Sequence, residues 1–453
     1  MFNNKAKRFL IKSFSFAILN VLFFDMSAIA NPKDLQSGPM IGYSEMKETL
    51  LWVQTTKEAK VKFVYWDIEN PDEKFQTEEY RTRKSDAYTI QLKATSVLPG
   101  KKYQYDLYID KEKISRPYPT EFITPPLWQW RTDPPEFSVA IGSCTYVNQV
   151  DYDRPGKPYG GNYEIFTSIY NKHPDIMLWM GDNIYLREAD WYSENGVFNR
   201  YTHTRSLPEM QPLLASTANY ALLDDHDFGP NDSDRAYRNK KDTFDAFRLF
   251  WGNPNYGTLG TKGAFTKFEW GDVEFFLLDD RTYRTPNKRK TGIREILGDN
   301  QLQWLIDGLV TSQATFKVIA IGGQVLNPLV AEYIEDYSAY PEEKEKLLSL
   351  IQAENIKGVL FLTGDRHQTE LSVLKRDNTY PLYDLTVSPL TASPYDSSKE
   401  ANYLRVPNTI VTKRNFAIMK VLGKKKDRKL NFSIYDTDGK ELWNKEIKEA
   451  ELR

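Results

Sequence analysis

Four apolar runs in this chain each stop at residues that bind cations. Phe-Ser-Val-Ala-Ile-Gly runs into Ser143-Cys144, and Ile-Met-Leu-Trp-Met into Gly181-Asp182-Asn183-Ile184-Tyr185. Tyr-Ala-Leu-Leu runs into Asp224-Asp225-His226-Asp227, and Gly-Val-Leu-Phe-Leu-Thr into Gly364-Asp365-Arg366-His367. Short unbroken apolar runs read as strands covered on both faces. In open α/β sheets, ligands bind beyond the carboxyl ends of such strands. A sheet that aligns these runs gathers Asp, His, Cys and Tyr at one end, which predicts an α/β core built around a cluster of cation ligands.

The rest of the 453-residue chain divides around that core, and its length exceeds one ordinary hydrophobic core. Residues 35–124 read as a small all-β domain. Strand-like stretches at Thr49–Thr55, Lys60–Asp67, Tyr88–Leu92, Lys102–Asp110 and Glu121–Thr124 are separated by turn signals, a pattern that resembles a fibronectin type III-like sandwich. Pro125-Pro126 and Pro134-Pro135 mark residues 125–136 as a linker, and residues 137–453 form the α/β domain. Within it, strands are expected at Asp175–Met180, Tyr220–Leu223, Val273–Leu278, Phe316–Ile321, Val359–Thr363, Leu371–Leu374 and Leu382–Val387. Helices are expected near Tyr163–Asn171, Asp242–Trp251, Asp299–Thr311 and Pro341–Ala353, and two last strands at Phe416–Leu422 and Leu430–Tyr435. The basic run Lys424-Lys425-Lys426-Asp427-Arg428-Lys429 between those two reads as a solvated hairpin tip.

Residues 1–30 read as a signal peptide. Lys5, Lys7, Arg8 and Lys12 precede an apolar stretch from Ser13 to Phe24 that is too short to span a bilayer, and Ala28-Ile29-Ala30 fits a cleavage site. The mature chain is therefore expected outside the cytoplasm, periplasmic or extracellular, with no transmembrane segment and as a monomer. Lys and Arg total 60 against 62 for Asp and Glu, so no global basic field suits nucleic acid. The chain has one cysteine, which excludes an intrachain disulfide. Cys144 is either a buried inert thiol or a metal ligand, and its company favours the ligand.

Asp182 has two oxygens that can bridge paired cations, the arrangement two-metal hydrolases use to clamp the attacking and leaving oxygens. Tyr185 is near enough to reach the same ion; alone, Gly-Asp-x-x-Tyr is equally an N-cap. From Asp224 to Asp232 the carboxylates are dense enough to raise each other's pKa unless cations intervene; a solvated acidic turn is the alternative. Asp365 and His367 lie two residues apart, so an extended chain points both to one face and one metal, with Arg366 elsewhere or toward phosphate. Of four histidines, His226 and His367 fall inside these motifs. Arg281 and Arg284 follow another strand end in Leu278-Asp279-Asp280-Arg281-Thr282-Tyr283-Arg284. They suit phosphate oxygens, or else a salt bridge to Asp279 or Asp280.

With Ser388-Pro389-Leu390-Thr391 added, the set resembles the alkaline phosphatase D-like (PhoD-like) metallophosphatases of the calcineurin-like metallophosphoesterase superfamily. The similarity runs from 35 to 453. It implies an αββα sandwich of mixed sheets behind the small β-domain, and a hydrolase of phosphate mono- or diesters that uses a metal-activated water. It also implies Fe3+ held by Cys144, Asp182, Tyr185 and Asp365. One or more Ca2+ would lie beside it, held by Asp182, a carboxylate of the Asp224–Asp225 pair, Asn231 and His367. His226 falls where the superfamily protonates the leaving group. Arg200, Tyr201 and Arg205 match positions before the Asp-Asp-His motif, with surface roles as the alternative. Leu223, Asp227 and Arg366 stand where the family has tryptophan, glutamate and a small residue, and Gly322-Gly323-Gln324 replaces its other His-rich motif. Competing expectations are a phospholipase-D-like enzyme acting on lipid headgroups, so that the substrate is a small-molecule or lipid phosphate ester, and a non-catalytic calcium-binding surface protein.

Overall fold

The computed structural model of the protein describes residues 33–331 and 334–453. The expected leader, residues 1–30, lies outside them. Two large mixed sheets form the body. The first has nine strands, in the order Glu441–Lys448, Lys429–Asp436, Asn415–Leu422, Phe137–Gly142, Ile176–Met180, Ala218–Leu222, Leu35–Ser44, Thr49–Thr55 and Thr89–Ala94. The second has six, in the order Thr266–Trp270, Val273–Leu277, Phe316–Ala320, Val359–Thr363, Leu382–Thr386 and Glu370–Leu374.

Side-chain alternation builds the layers. Along one strand, Ile176, Leu178 and Met180 join the core that also holds Phe275, Val318, Leu360 and Leu385 of the second sheet. Met177 and Trp179 point the other way, among Ile165, Phe166, Leu213 and Phe247 from helices Ile165–Tyr170, Gln211–Ser216 and Lys240–Phe250. Leu302, Leu305, Leu347 and Ile351, from helices Gly298–Thr311 and Pro341–Ala353, complete the main core. Both sheets are thus buried on each face at their centres, which is why their middle strands read as unbroken apolar runs.

The first-sheet strands ending at Gly142, Met180 and Leu222 are parallel, as are the second-sheet strands ending at Leu277, Ala320 and Thr363. The two sets of strand ends meet. Within the second sheet, Gly364 donates its N–H to Gly322 O at 2.7 Å. A Cβ on Gly364 would stand 2.7 Å from Met180 O, so only glycine permits this approach.

The N-terminal stretch is all-β, but it divides between sheets. Leu35–Ser44, Thr49–Thr55 and Thr89–Ala94 extend the large sheet through the parallel pair Ile41–Ala218. Lys60–Asp67 and Lys102–Ile109 anchor a separate small sheet. The end of the chain has three strands where two were expected, because Glu441–Lys448 pairs along Lys429–Asp436. The hairpin tip is solvated only in part. Lys424, Lys425 and Lys426 are exposed, whereas Arg428 is buried with its guanidinium on Asp272 at 2.8 and 3.1 Å.

Candidate metal centre

The loops beyond these strand ends turn sharply. Cys144, Asp182, Asp365 and His367 all have positive φ, at 62°, 52°, 61° and 54°. That region is costly for residues with a Cβ, and such strain concentrates at functional sites. Main-chain bonds hold the turns: Cys144 N–H to Gly181 O at 3.2 Å, Thr145 N–H to Asp182 O at 2.7 Å, and Thr391 N–H to Cys144 O at 3.2 Å. The Cys144 thiol lies 3.7 Å from Asp182 Oδ2 and accepts from Ser388 Oγ at 3.1 Å.

Ligand atoms within 4.8 Å of one another form four overlapping sets: Cys144, Asp182 and His367; Asp182, Asp225 and His226; Asp224, Asp225 and Asp365; and Asp225, Asp232 and Glu335. Asp182 belongs to two of these sets and Asp225 to three, so the sets join into one continuous strip. Asp224 and Asp225 therefore both face it. Tyr185 OH lies 2.9 Å from His367 Nε2, and its ring packs on His226 with centroids 4.2 Å apart. His367 Nδ1 is 2.8 Å from the carbonyl of Ser393. A carbonyl only accepts, so the proton sits on Nδ1, and the Nε2 lone pair accepts from Tyr185 OH on the side that faces the strip.

The electrostatics ask for positive charge. Burial first, and then the charge of neighbouring carboxylates, pushes Asp182, Asp224 and Asp365 well above the usual carboxylate range; the foremost neighbours are Asp225 for Asp182, Asp280 for Asp224 and Glu335 for Asp365. Asp225 goes the other way, to about 2; burial opposes the charged form, but His226, Arg281 and the Asp232 N–H outweigh it. Asp224 Oδ2, Asp225 Oδ1 and His226 Nδ1 are buried with no hydrogen-bond partner among the described residues. Orphaned buried acceptors beside a thiol, a phenol and an imidazole are what bound cations satisfy, so the donor set fits metal ions.

Several expectations change. Asp365 and His367 serve neighbouring sets rather than one, because the chain leaves the extended conformation at Asp365. Asn231 is exposed at the rim, with its amide on Asp232 Oδ1 at 2.7 Å. Arg281, expected either at phosphate or in a salt bridge to Asp279 or Asp280, is fully buried and lies 3.5 Å from Asp280 Oδ1; its guanidinium donates to Asp224 Oδ1 at 2.6 Å and to both Glu335 oxygens at 2.9 and 2.8 Å. Arg284 pairs with Glu335 as well. Arg366 turns to Glu400 at 2.6 Å. Arg200 and Arg205 are buried, not on the surface, on Asp190 and on the Trp251 ring. Asp227 is a clasp: it accepts from Asn183 N at 3.1 Å and Asp224 N at 3.0 Å, tying two strand ends together.

Sequence reasoning missed two residues. Glu335 is the partner of Arg281, and Tyr159 places its hydroxyl 3.1 Å from His367 Nδ1. Both lie in loops far from any apolar strand, so periodicity gave no signal.

A family model described as PhoD-like phosphatase matches residues 139–426, and a domain of unknown function matches 32–127. Alkaline phosphatase D of Bacillus subtilis (strain 168) is 22% identical over 340 residues, covering 64% of this chain and 55% of that protein. The chain thus aligns with about half the length of that curated relative. A solved structure of PhoD superposes with a TM-score of 0.74 at 16% identity, covering 93% of each chain. A purple acid phosphatase from yellow lupin (Lupinus luteus) seeds gives 0.67 at 12%, covering 92% of this chain and 75% of the other. At such identities the two structures attest a shared fold.

Proposed function

The chain belongs to the PhoD-like phosphatase family, and on that premise we propose that it hydrolyses phosphate esters, mono- or diesters, outside the cytoplasm. The observation that carries this reading is the strip of overlapping ligand sets joined by Asp182 and Asp225. Cys144, Asp182, Tyr185 and His367 offer a thiolate, a carboxylate, a phenolate and an imidazole, a set suited to Fe3+. Asp224, Asp225 and Asp365, with Asp232 and Glu335 beyond, offer only oxygens, which suit Ca2+. Cations held there would acidify a water and stabilise charge on phosphoryl oxygens.

The chain's own groups have distinct tasks. Asp182 and Asp225 fix the spacing of the two halves of the site. Ser388 orients the Cys144 thiol, and the Ser393 carbonyl fixes the His367 tautomer. Arg281, held by Glu335, positions Asp224 and is a positioning residue rather than a phosphate contact. His226 lines the cavity beside the centre, and in this reading it gives the leaving oxygen its proton. Export rests on residues 1–30. Elemental analysis of the purified protein, beside turnover of 4-nitrophenyl phosphate and its bis-ester, tests the proposal. Iron and calcium with turnover are expected; a metal-free protein that cleaves neither ester would overturn it.

A further inference from the structure

A cavity of about 400 Å3 opens from Tyr185, His226 and Asn231 at the metal centre and runs under the loop 151–161. That volume falls within the range of small-molecule sites, about 300–1,000 Å3. Its walls carry three cationic side chains, Arg154, Lys157 and Arg187, against two carboxylates, Asp153 and Glu188. Arg187 is spent on Asp153 at 2.7 Å, and Arg154 on Glu188 at 2.7 Å. Lys157 is exposed and has no ion-pair partner among the described residues, so it is the surplus charge.

The same walls hold flat faces. Tyr159 leaves 40% of its surface open, and Trp191 is half-buried across the cavity. Neither ring waits on a ligand to be placed. Tyr159 packs edge-on to Tyr146 with centroids 4.9 Å apart, and its carbonyl accepts from Ser393 Oγ at 2.8 Å. Next to it, Gly160 exchanges two 2.9 Å hydrogen bonds with Asn148, and Trp191 Nε1 donates to Leu186 O at 3.2 Å. The cavity is therefore preformed, and ring stacking in it costs little ordering.

We propose that this cavity selects phosphoryl substrates, esters or phosphoanhydrides, whose leaving group combines a flat ring with a second negative charge, a nucleoside diphosphate cut at the anhydride bond of its terminal phosphate being the simplest case. The ring lies on Tyr159 and Trp191, and Lys157 takes the charge. The inference rests on the hydrolase reading above. In the reaction, water oxygen bonds to the terminal phosphorus while the bond from that phosphorus to the bridging oxygen breaks. Nucleoside monophosphate and inorganic phosphate leave, and the protons of the water are shared between them and solvent. A quaternary ammonium leaving group is disfavoured, because both carboxylates of the wall are already paired.

Two measurements test this on the metal-loaded, full-length protein. The first is calorimetric binding of adenosine monophosphate, ribose 5-phosphate (charge without the ring) and adenosine (ring without the charge). The second is the ratio of kcat/KM for adenosine diphosphate to that for glycerol 2-phosphate. Adenosine monophosphate should bind about tenfold more tightly than either control. Trp191→Leu should erase its lead over ribose 5-phosphate, and Lys157→Ala its lead over adenosine. Each variant should lower the kcat/KM ratio about tenfold. Equal binding of all three probes, or a ratio that neither variant moves, would overturn the proposal. Turnover without this selectivity would leave the hydrolase reading standing and remove the cavity's role. The binding pattern without turnover of any ester would do the reverse.

Discussion

At the scale of single residues, the centre depends on groups that are costly to bury alone. Asp182 is 1% exposed and shared between two ligand sets. Asp182→Ala should lower metal content and kcat/KM together by at least about 100-fold, a larger loss than indirect partners of a metal give. Elemental analysis beside an ester assay checks this, and full turnover in the variant would exclude a two-metal mechanism. Cys144→Ser replaces a thiol by a weaker, harder donor. If the thiol binds iron, the visible absorbance of the protein should bleach or shift; an unchanged spectrum would return Cys144 to the core. These residues were legible in the sequence because each directly follows an apolar strand. Glu335 was not, because it comes to Asp225, Asp232 and Arg281 from a loop far away in the chain. Nor was the rim position of Asn231 legible, since spacing after a motif does not say where a Gly-Pro turn sends the chain.

At the scale of elements, the site exists because the ends of two parallel sets of strands converge, and glycines allow them to. A Cβ on Gly322 would lie 2.5 Å from Asp224 Cγ and Oδ2. Gly322→Ala should therefore displace the Asp224 carboxylate while both sheets persist, costing about 1–3 kcal/mol. Thermal unfolding would show a modest drop, whereas metal titration would show weaker loading; unaltered metal affinity would mean Asp224 is no ligand. Central strands were legible as apolar runs, and helix Pro341–Ala353 has the bounds its sequence predicts. Leu35–Ser44 was not, because Leu-Gln-Ser-Gly-Pro-Met-Ile-Gly-Tyr-Ser carries breakers and polar residues that its burial overrides. Helix Glu194–Arg205 was missed for a related reason: its buried side includes Arg200 and Arg205, charged residues that erase the apolar stripe.

At the scale of the whole molecule, bound cations and folding are linked. Asp182, Asp224 and Asp365 have folded-state pKa values raised above their unfolded ones. In metal-free protein their contribution to stability is fully present at low pH. It is lost as pH climbs through the raised values, because charged carboxylates are then buried away from water and crowd together. Cations relieve that repulsion and, at 100 times their Kd, add about 2.7 kcal/mol. Chelation should therefore lower Tm, and the gap between loaded and stripped protein should widen as pH rises above the ordinary carboxylate range. Calorimetry across pH checks this, and a gap that narrows would contradict it. The nine-stranded sheet bears on how this protein can be cut. Trp52 is fully buried with its indole on Leu249 O at 2.8 Å, and Tyr105 reaches Ala215 O at 2.7 Å. A truncated protein starting at Phe137 would lose the strand beside Ala218–Leu222 and bare a ready template for self-association. What looks in the sequence like a detachable preface is a wall of the building, and on expression the shortened chain should be found in the insoluble fraction.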